Sequence, residues 1–269
     1  DFYNADIVNN SYGFSGNIID YTESQVRTAF PKTILEMSQV GTPDEDKTIY
    51  VWAAGNAGSY ADEGVNYYHP ELLPGMAYFI EEIQGHSIAV VSIDEDGQIS
   101  DFSSRCGVSR DYCIAAPGGS VNVAYPTSSD DPGIYTTDTT DPNYSSCVED
   151  NSCYAAAGGT SFAAPFVTGG LAVIAQHFEG QLGNTELVTR LFATANKEGI
   201  YANPEIYGQG LMDLAAATAP VGQVSAMLGN NLSGPMTPAA FTSIHLTNPS
   251  FGDSISRGIN NQTAIFFDE

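Results

Sequence analysis

Gly158-Gly159-Thr160-Ser161-Phe162-Ala163-Ala164-Pro165 is the stretch on which the reading of the chain depends. Two glycines permit a tight turn and let a second backbone come close. A hydroxyl pair follows, then small and apolar residues, and the pattern predicts a helix that begins at or near Ser161 and runs to about Phe178. Thr160 or Ser161 is suited to cap its N-terminus, and a cap is the plainest role for Ser161. Pro165 argues for something more. It lies about one turn into the helix, removes a backbone donor and costs helix stability unless a tertiary contact requires it.

Far away in the chain, Val51-Trp52-Ala53-Ala54-Gly55-Asn56-Ala57-Gly58 is a buried-strand pattern running into a Gly/Asn turn, and an ordinary turn is its simplest reading. Taken together and in this order, the two stretches resemble parts of the subtilisin-like serine proteases, the subtilases. Gly-Thr-Ser-x-Ala-Ala-Pro is similar to that family's nucleophile motif, and Gly55-Asn56 to the segment ending in its oxyanion-hole asparagine. The resemblance implies Ser161 as nucleophile and Asn56 as oxyanion donor, with Ala54 and Gly55 beside the substrate. An amide suits the second role because it offers N–H groups to a developing oxyanion without a charge to titrate. The Gly-x-Ser-x-Gly signature of other serine hydrolases is not met, since Ala163 stands at its last position.

The 269 residues suffice for a substantial core, and an apolar content of 42% is ordinary for a globular protein. The charge is not ordinary. Eight basic against 32 acidic residues give a net of -24 and a pI near 4.1. Such a field repels phosphate backbones and anionic lipid, so neither nucleic acid nor a membrane surface is an expected partner. It attracts cationic peptides or calcium, although a solvating acidic surface on a secreted protein explains it as well. The longest apolar run, Phe162 to Ala175, is too short and too interrupted to span a bilayer, so no membrane insertion is expected. The start at Asp1, without a Met or a signal-like core, reads as a processed or trimmed product.

Four cysteines form two close pairs, Cys106 with Cys113 and Cys147 with Cys153. Neither has C-x-x-C spacing. Two small disulfide loops in an oxidising compartment are the expectation, each contributing about 2.5 kcal/mol or less; free buried cysteines are the alternative.

Ala5 to Asn10 reads as a short strand breaking into Ser11-Tyr12-Gly13. By resemblance that end lines the substrate cleft, where an extended peptide adds to an exposed backbone edge. Tyr21 to Val40 shows helical spacing with Pro31 as a break, and Thr48 to Ala54 is a strand. Ser59 to Gln84 has no clear period; Tyr60, Tyr67, Tyr68 and Tyr78 either shape a specificity pocket or pack locally. Ser87–Ile93 and Gln98–Phe102 read as strands around a turn at Asp96-Gly97. Asp101 to Ser104, Ala115 to Gly118 and Ile134 to Thr137 continue the subtilase order. Thr185 caps a second helix to Ala195, and Gly208 to Leu214 resembles the closing segment of a subtilase domain. Strand, helix and strand alternate, so the fold class is α/β with a mainly parallel sheet flanked by helices, subtilisin-like and incomplete at the N-terminus. Sites in such sheets form at the carboxyl ends of strands, where Ser11 to Gly13 and Gly55-Asn56 both stand.

Residues 1–220 read as the C-terminal portion of a subtilase catalytic domain. Residues 221–269 shift to Gly, Asn and Ser with short β-like runs at Phe241–Leu246 and Ala264–Asp268. They resemble the connector of bacterial autotransporter subtilases; an extension packed on its own domain is the alternative. The resemblance implies a secreted or bacterial cell-surface protein that acts on peptide or protein substrates. It requires no cofactor and allows calcium, but Asp94-Glu95-Asp96-Gly97 lacks the rest of an EF-hand loop and no metal ligands are assigned.

A serine hydroxyl needs a base, and the base an orienting group. Subtilases supply them in the order Asp, His, Ser, and both upstream motifs are absent here. His69, His86, His177 and His245 lack the family's His-Gly-Thr-His context and read as surface or packing residues. The expectation is that a preceding segment carries Asp and His, and that this polypeptide alone is close to inert, since loss of triad members costs roughly ten thousand- to millionfold. The alternatives are a catalytically dead surface or adhesion passenger, and a self-maturing fragment retained as a scaffold.

Overall fold

Short runs of β-branched and small apolar residues bounded by Gly, Asn and Pro form the centre of the molecule. In the computed structural model, which describes residues 5–14, 16–39, 43, 46–124, 154–219, 225–227 and 236–238, four of these runs make a parallel sheet. They are β1 (Ile7–Asn10), β2 (Ile49–Ala53), β3 (Ser87–Ile93) and β4 (Cys113–Pro117), in that spatial order. Ile7 lies opposite Ile49, Val51 opposite Ile88 and Val90 opposite Ile114. The α/β expectation holds, with helices on both faces.

Alternation along β2 explains the layers. Ile49, Val51 and Ala53 face one core with Ile88, Val90, Ile114 and the long helix α3 (Thr160–His177). Trp52 faces the other, with α1 (Glu23–Ala29), α2 (Pro31–Ser38) and residues 72–83. Both faces of a parallel sheet are buried, so every residue of β3 is apolar or small and buried. Ala163 and Ala164 let α3 approach closely, and Val167, Leu171 and Ile174 complete its buried stripe.

Local signals account for the helix boundaries. Thr22 and Gln25 form a reciprocal cap on α1, and Pro31 opens α2 after a break at Phe30, as its missing N–H requires. Further helices are α4 (Asn184–Thr194), α5 (Pro204–Tyr207) and α6 (Leu214–Thr218). Thr185 does not cap α4: the helix starts one residue earlier, and Glu186 reaches back to the Gly183 N–H at 2.8 Å. Gln98–Phe102 is not a strand either. Its return past β3 amounts to one isolated bridge, Ile93 with Ile99. The Ser59–Gln84 stretch carries more core than its aromatics suggest, since Leu72, Leu73, Met76, Ala77, Ile80 and Ile83 are all buried. Their spacing of three and four is realised as two short 3-10 turns. Tyr67 stacks on Tyr68 and Tyr78 leans on Phe79, which is local packing.

The outer edge of β4 is covered by residues 208–212, with Ala115 bonded to Gly210 and Met212. Two further strands, β5 (Val121–Ala124) and β6 (Tyr154–Ala157), pair antiparallel just before α3. The chain divides into compact units Asp1–Thr218 and Ala219–Glu269. The second contains an antiparallel pair, β7 (Ser225–Met227) with β8 (Met236–Pro238). Phe241–Leu246, Ala264–Asp268, Ile134–Thr137, Cys147, Cys153 and His245 lie outside the described residues. No helix among the described residues is long and apolar enough to cross a membrane.

Candidate active site

The first N–H groups of a helix have no partner inside it, and those of α3 are disposed of unequally. Gly159, extended at φ 160°, offers no side-chain cap, so neither Thr160 nor Ser161 is the N-cap that local reasoning suggests. The Phe162 N–H reaches the Gly159 carbonyl at 2.9 Å and the Ala163 N–H does so at 3.4 Å. The Thr160 N–H donates to Asn56 Oδ1 at 3.0 Å. The Ser161 N–H makes no hydrogen bond among the described residues and remains a donor at the positive end of the helix.

Pro165 has its explanation at the same place. Lacking an N–H, it cannot bond the carbonyl four residues back, which is that of Ser161. Ser11 Oγ donates to this carbonyl instead, at 2.8 Å, while Ser161 Oγ donates to the Ser11 carbonyl at 3.3 Å. This reciprocal pair joins the end of β1 to the start of α3.

Asn56 follows β2 through Gly55, whose φ of +111° favours glycine. Its Oδ1 accepts from both the N–H and the hydroxyl of Thr160, at 3.0 and 3.2 Å, and Thr160 Oγ1 in turn accepts the Gly55 N–H at 3.2 Å. With its oxygen held this way, the amide presents Nδ2 on the opposite side. A methyl group built on Gly159 would lie 3.8 Å from Asn56 Nδ2 and 3.7 Å from the Ser161 nitrogen. The two nitrogens thus lie within 4 Å of one point, which Phe162 Cδ2 also approaches at 3.7 Å. Ser104 steadies the loop beneath, its N–H on the Gly55 carbonyl at 2.9 Å and its hydroxyl accepting the Ala57 N–H at 3.4 Å.

Of the expected substrate-side residues, Ser11 is partly exposed and bonded to Ser161, and Tyr12 and Gly13 are exposed. Tyr12 is 62% exposed and packs edge-on against Trp52. Ala54 differs: it is fully buried, and its N–H and carbonyl already bond Val90 and Glu71. Gly55 is likewise buried and bonded internally. Sequence reasoning missed Thr160 as the link to Asn56 and missed Glu71 altogether. The Glu71 N–H bonds the Ala54 carbonyl at 2.9 Å, and its side chain lies over Gly55. Burial pushes its carboxyl above the usual range, with the Asn56 backbone N–H pulling it part of the way back. Its only signal was its place in a Pro-Glu-Leu-Leu run at the start of a buried segment.

No described histidine is hydrogen-bonded to Ser161, whose hydroxyl is on the Ser11 carbonyl. His86 is buried with Nε2 2.8 Å from the Met37 carbonyl. His69 accepts the Val108 N–H at Nδ1, 3.1 Å away. His177 ends α3, about 24 Å from Ser161 at the helical rise. Cys106 and Cys113 are bonded as expected and enclose a short 3-10 turn. Among the described residues no group of three or more acidic, histidine or cysteine side chains is arranged to hold a metal ion.

The sequence profile of the Subtilase family, peptidase S8, matches residues 3–210. "Serotype-specific antigen 1" of Mannheimia haemolytica is 31% identical over 170 residues, which are 63% of this chain and 16% of that protein. "Extracellular serine protease" of Serratia marcescens is 26% identical over 170 residues, 63% of this chain and 15% of that protein. The matched stretch thus spans less than a fifth of either relative. Among solved structures, a lanthipeptide protease superposes with a TM-score of 0.54 at 19% identity, covering 79% of this chain and 60% of that one. The prenylagaramide maturation protease PagA gives 0.50 at 18%, covering 80% and 61%. These two likenesses concern the fold alone.

Proposed function

The chain belongs to the subtilase family, and from that premise we propose that it is the serine-bearing part of a serine endopeptidase whose Asp and His come from a preceding segment. The observation that carries the reading is that Asn56 Nδ2 and the Ser161 nitrogen both lie within 4 Å of one point at Gly159, on the residue before Thr160-Ser161. In the complete enzyme Ser161 Oγ attacks a peptide carbonyl, and the incoming histidine accepts the proton and returns it to the leaving amine. The carbonyl oxygen, as it gains charge, sits between the two donors. Held in advance by Thr160, the Asn56 amide reorganises little as that charge develops, which is what makes such donors effective. The extended peptide runs along Ser11 to Gly13. No cofactor takes part in this acyl transfer, and no calcium ligand set is assigned.

Two surfaces support an upstream partner. The outer side of β1 has no neighbouring strand among the described residues. Along α3, Phe162, Phe166, Gly169 and Val173 follow one another at helical spacing, with Phe166 and Val173 44% and 47% exposed and open space at Gly169. A strand on β1 and an apolar element on this stripe would bring further residues to the Ser161 end. A secreted or bacterial-surface location accords with the Cys106–Cys113 disulfide and with the names of the two curated relatives. Residues 221–269 serve in this reading as a connector.

A fluorophosphonate probe tests the proposal on the complete precursor. Labelling that disappears in Ser161→Ala is the expected result; an unlabelled precursor, or a labelled Ser161→Ala, overturns it. The commitment of His69, His86 and His177 elsewhere favours one competing reading, a surface passenger that keeps the fold without its chemistry, and an unlabelled precursor would select it.

A further inference from the structure

The strand ends flanking Ser161 each carry a glycine that faces the same side chain. A Cβ on Gly13 would lie 3.0 Å from Glu71 Oε2, and one on Gly55 would lie 2.5 Å from Oε1. The carboxylate is thus bracketed by the two segments between which a substrate side chain next to the scissile bond would descend. Its backbone is fixed on both sides. The Glu71 N–H bonds the Ala54 carbonyl, the Gly75 N–H bonds the Glu71 carbonyl, and residue 71 bridges Asn17.

We propose that Glu71 forms the acidic floor of the specificity pocket and selects peptides with lysine or arginine on the acyl side of the scissile bond. The inference rests on the serine-peptidase reading of the site and names its substrate class. Gly13 leaves its wall without a side chain, so the methylene stem of a long cationic residue can lie along bare backbone there while its head reaches the Glu71 carboxylate, which itself lies against Gly55. No lysine or arginine among the described residues pairs with Glu71; Arg27, for example, is held by Glu23 and Glu82, and Arg110 by Glu205. Burial without a cation raises the Glu71 carboxyl, the condition in which an arriving positive charge is most strongly favoured. A neutral residue would leave the half-buried carboxylate with the Asn56 backbone N–H but no countercharge, and that penalty is what discriminates. The net charge of -24 adds long-range attraction for cationic peptides.

Binding tests this separately from catalysis. In the complete precursor carrying Ser161→Ala, affinities are measured by calorimetry for two peptides that differ only by arginine or glutamine at the position before the scissile bond. The arginine peptide is expected to bind at least about tenfold more tightly, and Glu71→Gln to bring the ratio close to one. Equal affinities in the parent overturn the proposal whether or not Glu71→Gln folds. An unchanged ratio in a folded Glu71→Gln overturns it too, and so does equal weakening of both peptides, the mark of a residue that only supports the Asn56 loop. Failure of fluorophosphonate labelling would count against the peptidase reading and leave the binding ratio to decide the role of Glu71.

Discussion

β1 and β2 lie side by side, and each runs at its carboxyl end into a segment with a glycine, Ser11-Tyr12-Gly13 in one and Ala54-Gly55-Asn56 in the other. At the β2 end nearly every polar group is engaged inside the protein. Ala54 bonds Val90 and Glu71, Gly55 bonds Thr160 and Ser104, and Asn56 Oδ1 takes two bonds from Thr160. At the β1 end Ser11 is tied to Ser161, whereas Tyr12 and Gly13 are exposed. The difference divides the labour between the two ends. Under the proposed peptidase reading, the donor that would meet a short-lived oxyanion is held rigid, while the edge that would receive a peptide stays exposed.

Removing the locked donor should have the largest effect. In the complete precursor, Asn56→Ala is expected to lower turnover about a hundred- to thousandfold. It also leaves the Thr160 N–H and hydroxyl proton without their acceptor, at about 1–2 kcal/mol in a denaturant melt. Asn56→Asp keeps an acceptor for Thr160 but removes the amide donor, so turnover should fall while more of the stability survives. Equal loss of stability in both variants would show that the β2 end is not held through that oxygen.

Next in size is the contrast between the two glycines. Gly55→Ala meets both a φ of +111° and the Glu71 carboxyl carbon 2.4 Å from the new methyl, and should cost about 2–3 kcal/mol. Gly13→Ala meets only the movable end of Glu71 and should stay within about 0.5 kcal/mol. Similar unfolding midpoints for the two variants would erase the distinction between the ends.

A smaller effect probes the bond joining the ends of β1 and α3. Ser11→Ala should destabilise by about 1 kcal/mol because the Ser161 carbonyl loses its donor. Pro165→Ala supplies an intrahelical N–H to that carbonyl, so the Ser11 substitution should cost about 0.5 kcal/mol less in that background. An additive double-mutant cycle would refute the account of Pro165.

The slightest effect lies outside the pair and serves as a baseline. Burial holds His69 below its ordinary value, with Glu205 and Asp20 pulling weakly the other way. The unfolded chain then takes up its proton at higher pH than the folded one. This part of the stability is therefore present above the ordinary histidine value and is lost as the pH falls through it. Melting temperatures should decline shallowly in that window, and His69→Gln should flatten the decline.

Much of this was legible in the sequence. The break at Pro31 follows from a missing N–H and β3 from a run of apolar and small residues, and both are properties of a few neighbouring residues. Gln98–Phe102 failed as a strand because its alternation is real but only Ile99 finds a bridge partner. The buried run from Leu72 to Ile83 was hidden by Pro74 and Gly75, which break a helical spacing into short turns. Glu71 offered only its place in a Pro-Glu-Leu-Leu run, because what surrounds it comes from three separated segments.

By itself, the sequence determined the α/β alternation, the serine at a helix start, the asparagine at a strand end and the family to which both belong. Each of these depends on backbone conformation and burial over a handful of consecutive residues. Tertiary structure alone decided that Thr160 serves Asn56 rather than capping α3, that Ser11 satisfies the carbonyl Pro165 leaves open, and that Glu71 faces two glycines. Asn56 and Thr160 are 104 positions apart, Ser11 and Ser161 150. Partners at such separations are chosen by how the sheet and helix pack, and local pattern carries no record of that choice.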